Sequence, residues 1–254
     1  MRRVAWLTSA TIVALAIVAP AHAAPSDPVI KSAIPVASAC VNVSPTSAGI
    51  KVYLVQRKLH TAFEKERYGS ATQAAVRAFQ RKQSLPVTGI VDATTWESLG
   101  IKRDFCVDQF TVQPMVDATA TREERIEAAI RWANSKLDQP YIWGSSGSVG
   151  YDCSGLVLQA LYAAGVYLPT ITTDRHQTTT FATSSTMYKL KAQRVPFTQR
   201  QRGDLVFWGN GASVSHVALY LGDDQVIEAV RPRVHISGLD TQGYPVKPYV
   251  VRVF

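Results

Sequence analysis

Cys153 is the residue of this chain whose type and surroundings best suit covalent chemistry. It follows a Gly/Ser-rich turn, 144–150, and lies in the run Tyr151-Asp152-Cys153-Ser154-Gly155. Apolar residues then recur three or four apart, as on the buried face of a helix: Leu156, Val157, Ala160, Leu161 and Ala164. If Asp152 caps this helix, Cys153 lies in the first turn, where unpaired N–H groups and the positive end of the helix dipole favour a thiolate. The pattern predicts a nucleophilic cysteine.

A buried structural thiol is the alternative interpretation of Cys153, because free cysteine is among the most buried residue types. A cysteine between Asp152 and Ser154, directly after a glycine turn, is poorly placed to serve only as core filling. We therefore favour the catalytic interpretation.

A cysteine nucleophile needs a base, and His216 is our candidate among the five histidines of the chain. It begins the run 215–221, whose period of two predicts a strand, and a strand holds a side chain more rigidly than a loop does. The alternative is a half-buried strand histidine without a chemical role. The histidines that we set aside are His22, His60, His176 and His235.

Glu228 is the candidate to orient His216, because it lies in an otherwise apolar strand pattern where an unpaired acid would be costly. A regular four-residue loop with Leu221 opposite Val226 would place His216 and Glu228 on opposite faces of the sheet. A three-residue loop or a bulge would place them on one face. We therefore predict an odd loop or a bulge. The alternative for Glu228 is a structural acid in a salt bridge.

The elements around these residues predict an α+β domain over residues 121–254. A capping box, Thr121 to Glu124, opens a helix before the cysteine turn. The cysteine helix is followed by segments that read as antiparallel strands at 204–208, 215–221, 225–230 and 249–253. Between them, the threonine-rich stretch 168–185 is expected to be a surface loop, either lining a cleft or merely connecting.

Three short helices are predicted between residues 49 and 100, with a capping box at Ser70 to Gln73 and an N-cap at Asp92. Three cysteines leave one thiol unpaired, so we expect a Cys40–Cys106 disulfide and a free Cys153. Closing this loop of about 66 residues would stabilise a small 40–106 domain by roughly 4 kcal/mol. The Cys and His residues lack zinc-site spacing, and we expect no metal or cofactor.

The first 23 residues have the pattern of an export signal: a basic head, an apolar stretch and the small-x-small site Ala21-His22-Ala23. We expect a secreted protein with a flexible leader at 24–39, a linker at 107–120 and no membrane span. Removing the signal lowers the net charge from +8 to 25 − 19 = +6. That charge suits an anionic wall or membrane surface, whereas no Lys/Arg stripe with interleaved aromatics indicates nucleic acid. A monomer is expected.

The first half of the chain resembles the three-helix peptidoglycan-binding domain that accompanies many wall hydrolases. The residues that carry this resemblance are Val55 to Leu59, Tyr68 to Gln80, Thr88 to Asp92, and Thr95, Trp96 and Leu99. The resemblance implies a wall-targeting domain and peptidoglycan as its partner.

The second half resembles the NlpC-type cell-wall cysteine peptidases, which have a papain-like α+β fold. Four ordered motifs carry the resemblance: Pro140 to Gly144, Asp152 to Val157, Gly203 to Trp208 and Ser215 to Gly222. It implies hydrolysis of peptidoglycan stem peptides, typically between γ-D-glutamate and a diamino acid. Many members carry histidine where this chain has Glu228, although glutamate occurs in the actinobacterial branch. The threonine stretch also departs from the family pattern, which bears on substrate preference.

The resemblance also implies a role for each matching residue. Cys153 matches the nucleophile, His216 the base and Glu228 the third polar residue, while Tyr141 matches a tyrosine that orients the substrate or its oxyanion. Asp152 and Ser154 match residues that line the pocket. Two other functions remain open: a wall-binding protein with an inactive peptidase domain, and an acyl transferase or amidase on the same scaffold.

Overall fold

The structure is a computed structural model that describes residues 29–31, 41–45, 47, 49–61, 67–105, 112–147, 150–168, 184–190, 193–240 and 243–254. The predicted export signal, both cysteines of the predicted disulfide, and most of the threonine-rich stretch with His176 lie outside the described residues.

The N-terminal domain contains the three predicted helices: α1 (Ile50–Leu59), α2 (Ser70–Lys82) and α3 (Ala93–Ser98). They enclose a small core that includes Val52, Val55, Val76, Trp96 and Leu99. The Asp92 carboxylate accepts a hydrogen bond from the Thr95 N–H at 2.8 Å, which confirms the predicted cap of α3. The predicted capping box at Ser70 is wrong, because Gly69 is the N-cap of α2 and makes no side-chain cap.

The C-terminal domain is α+β, as predicted. Its helices are α4 (Arg122–Asn134), α5 (Cys153–Ala163) and α6 (Ser184–Tyr188). Its six-stranded sheet has the order β3-β8-β4-β5-β6-β7, with neighbouring strands antiparallel. The strands are β3 (Arg194–Pro196), β4 (Leu205–Trp208), β5 (His216–Gly222), β6 (Gln225–Val230), β7 (Arg233–Gly238) and β8 (Tyr249–Val251). Sequence analysis did not predict β3 and β7.

Helices α4 and α5 cover one face of the sheet. The predicted capping box of α4 is present, with the Thr121 hydroxyl accepting from the Glu124 N–H. Helix α5 is buried almost throughout and packs against α4, β5 and β6. The two faces of the sheet therefore have separate cores, one shared with the helices and one centred on Val206, Trp208, Ala218 and Tyr220.

The hairpin between β5 and β6 contains the predicted bulge. Tyr220 is opposite Val226, but the next pair is Gly222 with Gln225, so Leu221 is the extra residue. Below the bulge, the register continued from Leu219 and Ile227 places His216 opposite Val230 and diagonal to Glu228. The two side chains therefore share one face of the sheet.

Two segments outside the predicted C-terminal domain lie against it. Val29–Ile30 form the strand β1, which pairs with β2 (Val166–Tyr167), although a flexible leader was expected there. In the expected linker, Val112 and Val116 pack on the core, and Arg125 of α4 donates to the backbone carbonyls of Asp117 and Ala118. Among the described residues, no helix has the length and apolar character that crossing a membrane requires.

Candidate active site

Asp152 fixes the start of the cysteine helix. Its carboxylate accepts hydrogen bonds from the Gly155 N–H at 2.7 Å, the Ser154 hydroxyl at 3.2 Å and the Gly144 N–H at 2.8 Å. The first of these is the predicted N-cap contact. The Gly144 contact ties the preceding turn to the start of the helix, and the Ser154 contact lies within the helix, so Asp152 and Ser154 form a buried scaffold directly beside Cys153.

Gly155 allows the turn to approach the helix closely. A Cβ added at Gly155 would lie 2.2 Å from the backbone oxygen of Ser145, which no larger residue could tolerate. Farther along α5, the Gln159 amide donates to the Ser146 carbonyl at 2.8 Å. These contacts explain the glycine and serine content of the turn, because the backbone itself packs on the helix.

Cys153 is the first residue of α5, a free thiol of intermediate exposure. Its own N–H lies in the first helical turn, where backbone donors have no partner within the helix. The sulfur is thus at the positive end of a helix, partly open to solvent, beside a donor that could bind an oxyanion.

His216 joins Cys153 to Glu228. The His216 Nε2 lies 2.5 Å from Glu228 Oε2, and both residues are buried, with Glu228 completely inaccessible. Cys153 also acts on the imidazole, because its side-chain hydrogen bonding and its charge are among the causes that raise the pKa of His216. The Trp208 ring packs against the imidazole with 5.3 Å between centroids. Of the three residues predicted from sequence as nucleophile, base and orienting acid, His216 therefore interacts with each of the other two.

The neighbours of His216 change its protonation. Burial alone would lower the pKa of His216, but the hydrogen bonds and negative charges of Cys153 and Glu228 outweigh it and raise the pKa from 6.5 to about 9. At neutral pH the ring is consequently an imidazolium, which can give a proton to a leaving group.

Two residues of β7 complete the environment of Glu228, and sequence analysis did not assign them a role. The Ser237 hydroxyl donates to Glu228 Oε1, and His235, directly opposite Glu228 in the sheet, has its Nε2 3.6 Å from the same oxygen. The alternation of His235 and Ser237 in the run 233–238 is the signal that could have revealed them, as polar residues on one face of a strand.

Tyr141 lies on the loop that leads to the cysteine turn. Its N–H donates to the Pro232 carbonyl at 2.9 Å, and its side chain packs against the core shared with the helices. The Arg231 guanidinium is 5.3 Å from the centre of the Tyr141 ring. The turn between β6 and β7 therefore positions this loop, a long-range contact that the sequence does not indicate.

The site has the parts of a thiol-dependent acyl-transfer centre: a nucleophile, a proton donor and acceptor, an acid that orients it, and a backbone N–H for an oxyanion. Across the described part of the chain, no group of three or more His, Cys, Asp and Glu side chains is arranged to hold a metal ion.

Comparison with protein families matches both halves of the chain. The NlpC/P60 family matches residues 138–253, and the family described as "Putative peptidoglycan binding domain" matches residues 49–99. The first match contains Cys153, His216 and Glu228, and the second contains the three N-terminal helices.

Individual relatives include mycobacterial proteins named as peptidoglycan endopeptidases. Peptidoglycan endopeptidase RipA of Mycobacterium tuberculosis is 32% identical over 198 residues, which are 72% of this chain and 37% of that protein. RipB of the same species is 30% identical over 147 residues, 53% of this chain and 55% of that protein. The chain thus spans less than two thirds of either relative.

A solved structure of RipD from the same species is also similar. RipD is described as a non-catalytic NlpC/p60 domain protein adapted to peptidoglycan binding. It is 30% identical, with a TM-score of 0.40, over 51% of this chain and 98% of that one.

Proposed function

We propose that this chain is a peptidoglycan endopeptidase that cuts stem peptides by a Cys-His-Glu thiol mechanism, and the match of residues 138–253 to the NlpC/P60 family supports this. The bond that we propose is the amide between γ-D-glutamate and the diamino acid. The observation that supports this most is the buried pair of His216 and Glu228, together with the effect of Cys153 on the same imidazole.

The proposed reaction has two stages. The Cys153 thiolate attacks the scissile carbonyl carbon, and the N–H of Cys153, with Tyr141 nearby, stabilises the oxyanion. The C–N bond breaks as the His216 imidazolium gives its proton to the leaving amine. Neutral His216 then takes a proton from water, whose oxygen attacks the thioester and releases the acid and the thiolate. Glu228 stabilises the imidazolium and fixes the ring, while Asp152 and Ser154 hold the wall of the site.

A purely wall-binding role is the second candidate, because RipD combines this family's fold with a non-catalytic description. The side chains needed for catalysis are all present here, and His216 carries the raised pKa that a thiolate partner requires. An acyl transferase would use the same residues but pass the acyl group to an amine instead of water.

Mass spectrometry of products from a defined stem peptide tests these functions. Hydrolysis gives two fragments whose masses sum to the substrate plus one water, one of them ending in the glutamate carboxyl. Transfer gives a product that carries the acceptor amine. An uncleaved peptide would contradict both enzymatic functions and leave the wall-binding one.

We also propose how the rest of the chain serves this activity. Residues 1–23 direct export and are removed, residues 49–99 hold the protein on peptidoglycan, and the Cys40–Cys106 disulfide closes the N-terminal domain. The family match of residues 49–99 supports the binding role. Edman sequencing of the exported protein tests the removal of residues 1–23. The sequence is expected to begin at Ala24, and an uncut N-terminus would contradict the proposed export signal.

A further inference from the structure

A basic groove crosses the N-terminal domain, far along the chain from Cys153. Its cavity of about 370 Å³ lies between the last turns of α1 and the segment that follows α3. That volume is within the range of about 300–1,000 Å³ that small-ligand pockets occupy. The groove is lined by Leu54, Arg57, Lys58, Ile101, Lys102 and Arg103.

The floor of the groove is apolar and continuous with the core of the N-terminal domain. Leu54 and Ile101 are half-buried and pack against the core of the three helices. The backbone beside them is anchored, because the buried Trp96 ring donates through its Nε1 to the Arg103 carbonyl at 2.8 Å. The floor can therefore receive small apolar groups such as methyls without rearrangement of the domain.

The rim of the groove is cationic. Arg57, Lys58, Lys102 and Arg103 are exposed, and the described residues that line the cavity include no acid. Lys58 extends across the groove, since a Cβ at Gly100 would be 3.6 Å from its Nζ. Basic residues commonly complement a helix C-terminus, which accounts for Arg57 and Lys58 in the last turn of α1. Lys102 and Arg103 follow α3 and belong to no helix, so that explanation does not cover them.

We propose that this basic groove binds the stem peptides of peptidoglycan through their carboxylates, with their alanine methyl groups on Leu54 and Ile101. Charge complementarity selects an anionic ligand, and the aliphatic floor selects one that alternates acids with small apolar groups. Sugar rings commonly stack on aromatic side chains, and no aromatic residue is among those lining the cavity. The inference rests on the proposed wall-directed function and gives it a recognition site.

Binding of the full-length protein to purified sacculi tests the proposal. All variants carry Cys153→Ala, so that digestion of the sacculi does not release the bound protein. We expect Lys102→Gln with Arg103→Gln to weaken co-sedimentation by about tenfold, and Lys58→Gln on the opposite wall to weaken it less. The matched control is Arg81→Gln with Lys82→Gln, which removes two exposed charges from the last turn of α2 and is expected to bind normally. Circular dichroism establishes that each variant is folded.

Chemical treatment of the sacculi identifies the ligand. Amidation of their carboxyl groups should abolish the difference between the groove variant and the control, whereas hydrofluoric acid, which strips phosphate polymers, should leave it unchanged. Equal binding of the groove variant and its control to untreated sacculi would overturn the proposal. Loss of binding after hydrofluoric acid treatment would also overturn it. Cleavage of soluble stem peptides by protein with Cys153 intact is measured separately, so a failure of the peptidase function is distinguishable from a failure of the groove.

Discussion

His216 carries the proton on which the proposed reaction depends. Its folded pKa of about 9 lies above the ordinary 6.5 because Cys153 and Glu228 stabilise the imidazolium more than burial destabilises it. The protonated state is therefore present at neutral pH and is lost as pH rises through about 9. The same sign holds for stability: the favourable interaction is complete below 6.5 and disappears above the folded pKa.

We predict an alkaline limb near pH 9 in kcat/KM for a soluble stem peptide. Above that pH, His216 loses the proton that it must give to the leaving amine. Initial rates across the neutral and alkaline range measure it. A limb near pH 6.5, the ordinary pKa of histidine, would mean that Cys153 and Glu228 do not stabilise the imidazolium form of His216.

Glu228→Gln should shift that limb to lower pH, because removing the carboxylate removes part of what raises the pKa of His216. We also expect kcat to fall by about 10²-fold or more. The control is Glu127→Gln, which breaks an exposed pair with Arg202 and should leave the limb in place. An unchanged pH profile in Glu228→Gln would show that this acid is merely structural.

At the scale of elements, the site depends on how α5 begins and how the β5–β6 hairpin is paired. The Asp152 cap and the Leu221 bulge are independent devices, one placing the sulfur and the other placing the imidazole and the acid on one face. Without the extra residue in β5, the period of two would turn either His216 or Glu228 away from the other.

Asp152→Ala should destabilise the C-terminal domain by about 1–3 kcal/mol, because it removes the N-cap and leaves the Gly144 N–H without its buried acceptor. Peptide cleavage should fall with it, since the turn beside Cys153 is released. Asp92→Ala, the corresponding cap in the other domain, should lower stability by about 1 kcal/mol and leave cleavage of soluble peptide intact. Thermal unfolding and initial rates measure both. Full activity in a folded Asp152→Ala variant would contradict the role given to this cap.

Much of this site can be predicted from local patterns in the sequence. Contacts between segments that are distant along the chain cannot be predicted in this way. The Cys153 helix, its cap and the shared face of His216 and Glu228 follow from spacing along one or two adjacent elements. Strand β7 was missed because Arg231-Pro232-Arg233 reads as a loop, and with it Ser237 and His235 were missed as partners of Glu228. The predicted capping box at Ser70 is wrong because Gly69 is the N-cap, which makes Ser70 the first residue of the helix.

At the scale of the whole molecule, a small three-helix domain is joined to a larger α+β domain. The N-terminal core consists of a few side chains around Trp96, and a domain of that size commonly needs a covalent staple. The larger domain has two cores, one on each face of its sheet, so we expect its stability not to depend on a Cys40–Cys106 disulfide.

Reduction should therefore affect the two domains differently. With the proposed Cys40–Cys106 disulfide reduced, the N-terminal domain should lose about 4 kcal/mol of stability and unfold at lower temperature, while the unfolding of the catalytic domain stays unchanged. Calorimetry with and without a phosphine reductant measures this, with Cys40→Ser and Cys106→Ser in one chain as the matched variant. Identical transitions under both conditions would show that the two thiols are not linked.

The central claim is that the Cys153 sulfur performs the cleavage, and digestion of purified sacculi by Cys153→Ala beside the unchanged protein tests it most directly. The unchanged protein is predicted to release soluble stem-peptide fragments, and the variant to release none while still sedimenting with the sacculi. Release of the same fragments by Cys153→Ala at a comparable rate would contradict the claim.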